Sequence, residues 1–116
     1  MSFSKKNAIL LILLFTFLLT NSAFAHADHG TVLTDEQVVM KATGDVGRMV
    51  KEGKKVDGKV LDKSWLEVTD KKISDRNLRY FVVSFKRPNK KEVLYVFLDV
   101  YGLYLGANLS GSIEDI

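Results

Sequence analysis

The residues of this chain best suited to chemistry are His26, Asp28 and His29, in the run His26-Ala27-Asp28-His29-Gly30. Two imidazoles and a carboxylate, joined by a free amine if the chain is cut before His26, form a nitrogen-rich set that suits Cu(II), Zn(II) or Ni(II). The same residues serve equally well as polar filler in a solvated lead-in. Other chemistries find less support. Ser64, Ser74, Ser84, Ser110 and Ser112 have no histidine base outside that lead-in. Asp57, Asp62, Asp70 and Asp75 fall in turns or connectors, where no apolar setting raises the pKa of one carboxyl of a pair. Gly44, Gly47 and Gly53 lie in or at the end of a helical pattern, whereas a phosphate loop needs them between strand and helix. Asp99 ends an apolar strand and reads as a turn former ahead of Val100-Tyr101-Gly102. The chain has no cysteine, which removes thiol nucleophiles, thiolate metal sites and disulfides. The expectation is a protein that is not an enzyme and needs no cofactor, with Cu or Zn bound at His26, Asp28 and His29 as the alternative.

The elements that would position such residues begin with an export signal. Lys5 and Lys6 precede an apolar run from Ala8 to Leu19, followed by Thr20-Asn21-Ser22 and then Ala23-Phe24-Ala25. A basic start, a short apolar stretch and a small-x-small end are the parts of a secretory signal peptide. A spanning helix needs about 20 apolar residues, and this run falls short. Residues 1–25 are therefore expected to be a signal peptide cut after Ala25, with Ala27 as the second choice. The mature protein would be periplasmic or secreted, with no membrane association after cleavage. The 116 residues carry 17 basic and 14 acidic side chains, a net charge of +3. Most of that excess leaves with Lys5 and Lys6, so no electrostatic footprint for nucleic acid remains.

Residues 26–33 read as a flexible, His-containing lead-in. Thr34-Asp35-Glu36-Gln37 is a capping-box pattern, and Val38, Val39, Ala42, Val46, Met49 and Val50 share an arc of about 120° on the helix that follows. Gly53 ends it. Gly44 and Gly47 fall on its exposed side without evident reason. Asp57-Gly58 marks a turn in a charged connector. The period then changes to two: Leu66–Ile73 is a first strand, Leu78–Lys86 a second, Glu92–Asp99 a third and Leu103–Asn108 a fourth, with turns at Asp75-Arg76-Asn77, Pro88-Asn89 and Gly102. Trp65 is expected to close one edge, and residues 111–116 to form a loose polar tail. The fold class is α+β: one N-terminal amphipathic helix packed on a four-stranded antiparallel meander, spanning residues 34–110.

One helix covers one face of such a sheet, yet the third strand is apolar on both. Leu94, Val96 and Leu98 point one way, and Val93, Tyr95 and Phe97 the other. A two-residue turn at Pro88-Asn89 sets Val82 opposite Tyr95, Tyr80 opposite Phe97 and Val83 opposite Leu94. Tyr80, Val82, Tyr95, Phe97 and Tyr104 are then the candidate partner-binding face, for a protein or peptide or for a second copy in a homodimer. Cover by Lys and Arg stems is the competing reading.

The stretch Tyr95-Val96-Phe97-Leu98-Asp99-Val100-Tyr101-Gly102-Leu103-Tyr104-Leu105, following a charged amphipathic helix, resembles the PepSY pattern, in which an apolar strand ends in Asp, turns at Gly and returns. It differs in having Val100-Tyr101 where polar turn residues are usual. The His-containing mature start, Ser64-Trp65 and Gly106-Ala107-Asn108 also resemble a family of small exported bacterial proteins of unknown function. PepSY domains resemble peptidase propeptides and act as inhibitors or accessory modules. The resemblance therefore implies a binding or accessory module of the cell envelope, recognising a protein or peptide through its sheet face or open edge, and it carries over no active-site residues.

Overall fold

The computed structural model describes residues 32–116; the expected signal peptide and most of the expected His-containing lead-in, including His26, Asp28 and His29, lie outside the described residues. Helix α1 spans Asp35–Lys51 and starts as the capping box requires: the Thr34 side chain accepts from the Gln37 amide while the Gln37 side chain accepts from the Thr34 amide. Asp35 and Glu36 sit in its first turn, and Arg48 and Lys51 in its last, so both ends complement the helix dipole. Val38, Ala42, Val46 and Met49 are the buried stripe. Among the described residues, no helix is long and apolar enough to cross a membrane.

After α1 the connector forms a miniature hairpin, β1 (Lys55–Val56) with β2 (Lys59–Val60). Asp57 and Gly58 both take positive φ, 49° and 79°, the conformation that a two-residue hairpin turn demands. A 3-10 turn at Lys63–Glu67 follows, capped by the Asp62 carboxylate on the Ser64 amide, and places Trp65 in the core. The main sheet is β3 (Asp70–Arg76), β4 (Tyr80–Lys86), β5 (Val93–Asp99) and β6 (Tyr104–Asn108), all antiparallel in the order β3-β4-β5-β6. Helix on four-stranded antiparallel sheet is the α+β architecture that the helix-then-strands order implies.

Three details differ from the sequence expectation. The first strand starts at Asp70 instead of Leu66, because the capped 3-10 turn claims residues 63–67 to bury Trp65. Its turn correspondingly moves to Asn77–Arg79, where the Asn77 side chain accepts from the amides of Arg79 and Tyr80. The β4–β5 register is offset by two, with Val82 opposite Phe97 and Ser84 opposite Tyr95. Pro88-Asn89 do form a turn, Asn89 at φ 61°, but the connection runs the whole way from Arg87 to Glu92. An even offset keeps each side chain on its face.

The helix side of the sheet holds the core: Phe81, Val83 and Phe85 of β4 and Leu94, Val96 and Leu98 of β5 pack with the helix stripe, Val56, Leu61, Trp65 and Val68. At the β5–β6 turn the Asp99 carboxylate accepts from the amides of Tyr101 and Leu103, the structural role expected of it. Gly102 completes the turn at φ +87°, and a Cβ there would meet the Lys41 side chain at 2.4 Å. Gly44 and Gly47, by contrast, have nothing within 4 Å of an added Cβ. The same substitution therefore has opposite signs. Gly102→Ala is expected to destabilise by about 1–2 kcal/mol through the left-handed conformation alone. Gly44→Ala and Gly47→Ala are expected to stabilise by about 0.5–1 kcal/mol each. Urea titration of the three variants checks both directions.

Candidate functional site

The second face of the sheet is not the open surface that its composition suggests. Val82 and Phe97 lie on it as expected but are only 3% and 0% exposed. The chain's own C-terminal segment, expected to be loose, is instead ordered against this face. Gly111 lies against the Tyr95 ring, a Cβ there meeting ring atoms at 3.1 Å, and Ile116 lies over Gly106. Ile113 shares a groove with Asn77, Leu78, Arg79 and Tyr80. Asn108, fully buried, holds this segment in place: its Nδ2 donates to the Ser112 carbonyl and its Oδ1 accepts from the Gly111 amide.

Tyr80 and Tyr95 are half-buried on this face, with the Tyr80 and Phe97 rings 6.1 Å apart. Tyr104 is elsewhere, which corrects its expected place on the same face. A bulge at Leu105 lets Phe97 pair with Gly106 while Leu98 pairs with Tyr104. The extra residue inverts the alternation, so Tyr104 turns to the helix side. There its hydroxyl donates to Met49 Sδ at 3.6 Å, and Arg48 and Lys54 stand over its ring.

Replacing Asn108 by Ala leaves the Gly111 amide and Ser112 carbonyl without their partner. The expected cost is about 1–3 kcal/mol, accompanied by faster amide exchange over residues 111–116 while α1 keeps its protection. Hydrogen-exchange mass spectrometry reads both.

Two further accessible concavities flank β3, an outer strand of the sheet. On the helix side a groove of about 690 Å³ runs between α1 and β3, lined by Asp35, Glu36, Val39, Met40, Thr43, Lys71, Lys72 and Ile73. Its apolar part comes from a second helix stripe beside the buried one, in which Met40 is 70% exposed. Arg76 at the end of β3 pairs with Asp35 at the start of α1, so the helix runs antiparallel to the strand and its acidic end meets the end of β3. On the opposite face a shallower groove of about 290 Å³ is lined by Asp70, Lys72, Ser74, Ser84, Lys86, Val93 and Tyr95. Lys72 belongs to both.

A third cluster, which the sequence reading did not identify, surrounds Arg87. Its guanidinium carbon lies 4.0 Å from the centroid of the Trp65 ring, its Nη1 donates to Ser64 Oγ at 2.9 Å and its Nη2 to Glu92 Oε1 at 2.9 Å. Arg87 Nε is buried with no acceptor among the described residues. Lys59 also bonds Glu92. This ties the 3-10 turn, the β1–β2 hairpin and the β4–β5 loop together, and Glu92 and Asp62 already neutralise the arginine. Hydrogen bonding to Lys59 holds Glu92 below its ordinary pKa of 4.5, and the Ser64 hydroxyl and amide hold Asp62 low in the same way. A depressed folded pKa adds stability at neutral pH that is lost as pH falls. Asp45 acts oppositely: burial raises its pKa, and acid relieves its penalty. Glu92→Gln is expected to flatten the acid limb of stability below the ordinary value of 4.5 and to leave its slope near pH 7 unchanged, as denaturant melts across pH would show.

No group of three or more His, Asp or Glu among the described residues is placed to hold a metal ion. The model of a family of unknown function, DUF6488, matches residues 4–112, and the chain belongs to that family. Nothing in the match links it to the PepSY pattern. Among curated proteins and among solved structures, none matches the chain.

Proposed function

We propose that this member of the DUF6488 family is an exported, non-enzymatic binding module of the cell envelope that takes an extended peptide segment onto the edge of β3, an accessory role like that of PepSY domains. The observation that carries the reading is that, among the described residues, β3 is an outer strand of the sheet with a groove on each side of it. A strand added to such an edge gains main-chain hydrogen bonds, and its side chains point alternately to the two faces. Here one set would enter the groove of Val39, Met40, Thr43 and Ile73, and the other would meet Lys72, Ser74, Ser84 and Tyr95. A ligand with alternating apolar and polar residues matches both. Export rests on the leader pattern at residues 1–25.

Selection of binders from a random-peptide display library against the purified protein tests the reading. Enriched sequences are expected to alternate apolar and polar residues and to slow amide exchange in β3. Met40→Glu is expected to weaken them by about tenfold or more, on the basis of one lost apolar contact and one carboxylate brought into the groove. Tyr95→Asp is expected to weaken them less, because it alters the polar side. Enriched sequences without alternation, or protection confined to β6 or residues 109–116, would exclude the β3 edge.

A further inference from the structure

We infer that the resting occupant of the β3 edge is β3 of a second copy, paired antiparallel about a two-fold axis at Ile73. The inference rests on the reading of this edge as strand-accepting and adds the identity of one partner. Its basis is the order of charges in Asp70-Lys71-Lys72-Ile73-Ser74-Asp75-Arg76. Pairing with β4 sets Lys72 opposite Ser84, Ile73 opposite Val83 and, past the bulge at Ser74, Asp75 opposite Val82. Lys72 is thus one ladder step before Ile73 and Asp75 one step after, both on the face away from the helix.

A two-fold axis at Ile73 consequently places each copy's Lys72 opposite the other copy's Asp75, giving two reciprocal opposite-charge pairs. On the helix face Ile73 meets Ile73, beside Val39 and the exposed Met40 of each copy. One step further out, Lys71 and Arg76 oppose each other with like charge. Asp35, bonded to Arg76, and Glu36, which shares the groove with Lys71, lie on that same face and offset it. A parallel arrangement would instead stack Lys72 on Lys72 and Asp75 on Asp75. The charges thereby select orientation and register, and the pairing also buries an edge that would otherwise template aggregation.

Sedimentation analysis of the protein as purified from cells tests this by charge exchange. Lys72 and Asp75 are both exposed in the single chain, so neither substitution disturbs the core, and circular dichroism verifies folding. The native protein is expected to show a concentration-dependent monomer–dimer equilibrium weakened by salt. Lys72→Asp alone and Asp75→Lys alone are each expected to weaken association by about tenfold or more, since each sets like charges across the interface twice. The double variant K72D/D75K is expected to regain it. A protein that stays monomeric at every concentration, single variants that dimerise as the native protein does, or a double variant as weak as the singles would each overturn the inference. Peptide selection on the native protein, held at concentrations where sedimentation shows the single chain, separates the two claims. Alternating peptides that protect β3 there leave the peptide reading standing when self-pairing fails, and a dimer that forms while no such peptide is enriched leaves self-pairing standing alone.

Discussion

The constraint from which the rest of this structure follows is that β5 is apolar on both sides while the described residues supply one α-helix to cover it. Leu94, Val96 and Leu98 face α1, and Phe97, fully buried, faces away from it. Exposing a phenylalanine together with Val82 would forfeit about 1.5–3 kcal/mol per side chain. The chain after β6 removes that exposure by folding back over the sheet, and Asn108 makes the reversal possible by bonding to both Gly111 and Ser112. An eight-residue segment without regular strand structure thus does the work of a second layer. It lies over Tyr95 and Gly106 of β5 and β6, and the accessible groove on the β3 side of this face is lined by Ser74, Ser84 and Lys72 among others.

Much of this fold was legible in the residues. The Thr34 capping box, the stripe from Val38 to Met49, the aromatic and β-branched run of β4 and the Asp99–Gly102 turn each follow from local rules, and each is present. The failures share a different cause. Trp65 pulls residues 63–67 out of an alternating pattern because its indole can be buried only against residues distant in sequence. The β4–β5 register depends on the length of the Arg87–Glu92 loop, and that loop is held by a contact between Arg87 and Trp65 that no local pattern announces. A single bulged residue, Leu105, sends Tyr104 to the opposite face from that expected by strict alternation. Tyr80, Val82, Tyr95 and Phe97 do share the face of the sheet away from the helix, as the alternation implies. The closure of that face was not legible, because closure by residues 109–116 depends on a buried asparagine whose value lies entirely in tertiary context. The β3 groove was invisible for the same reason: Met40 and Ile73 are far apart in the chain and neither is unusual alone.

The two edges of the sheet are managed differently. At β6 the bulge at Leu105 interrupts the ladder, and the amide of Leu109, just past the strand, is taken by the Asp57 carboxylate from the β1–β2 hairpin. Backbone that has already found an intrachain acceptor is a poor template for another strand. At β3 the defence is charge, with five of its seven residues ionisable, and a bulge at Ser74. Since both edge strands are bulged, charge at β3 is to be compared with the cap at β6, and it differs from a cap in one respect. It repels most strands but attracts the one whose charges are complementary, so it discriminates among partners where a covering loop would exclude them all. A strand whose bases and acids are arranged on either side of an isoleucine, next to a helix stripe that keeps Met40 exposed, is therefore protected against indiscriminate pairing and still able to pair selectively. That combination at β3, and its absence at β6, is the physical reason for proposing β3 and not β6 as a strand-accepting edge.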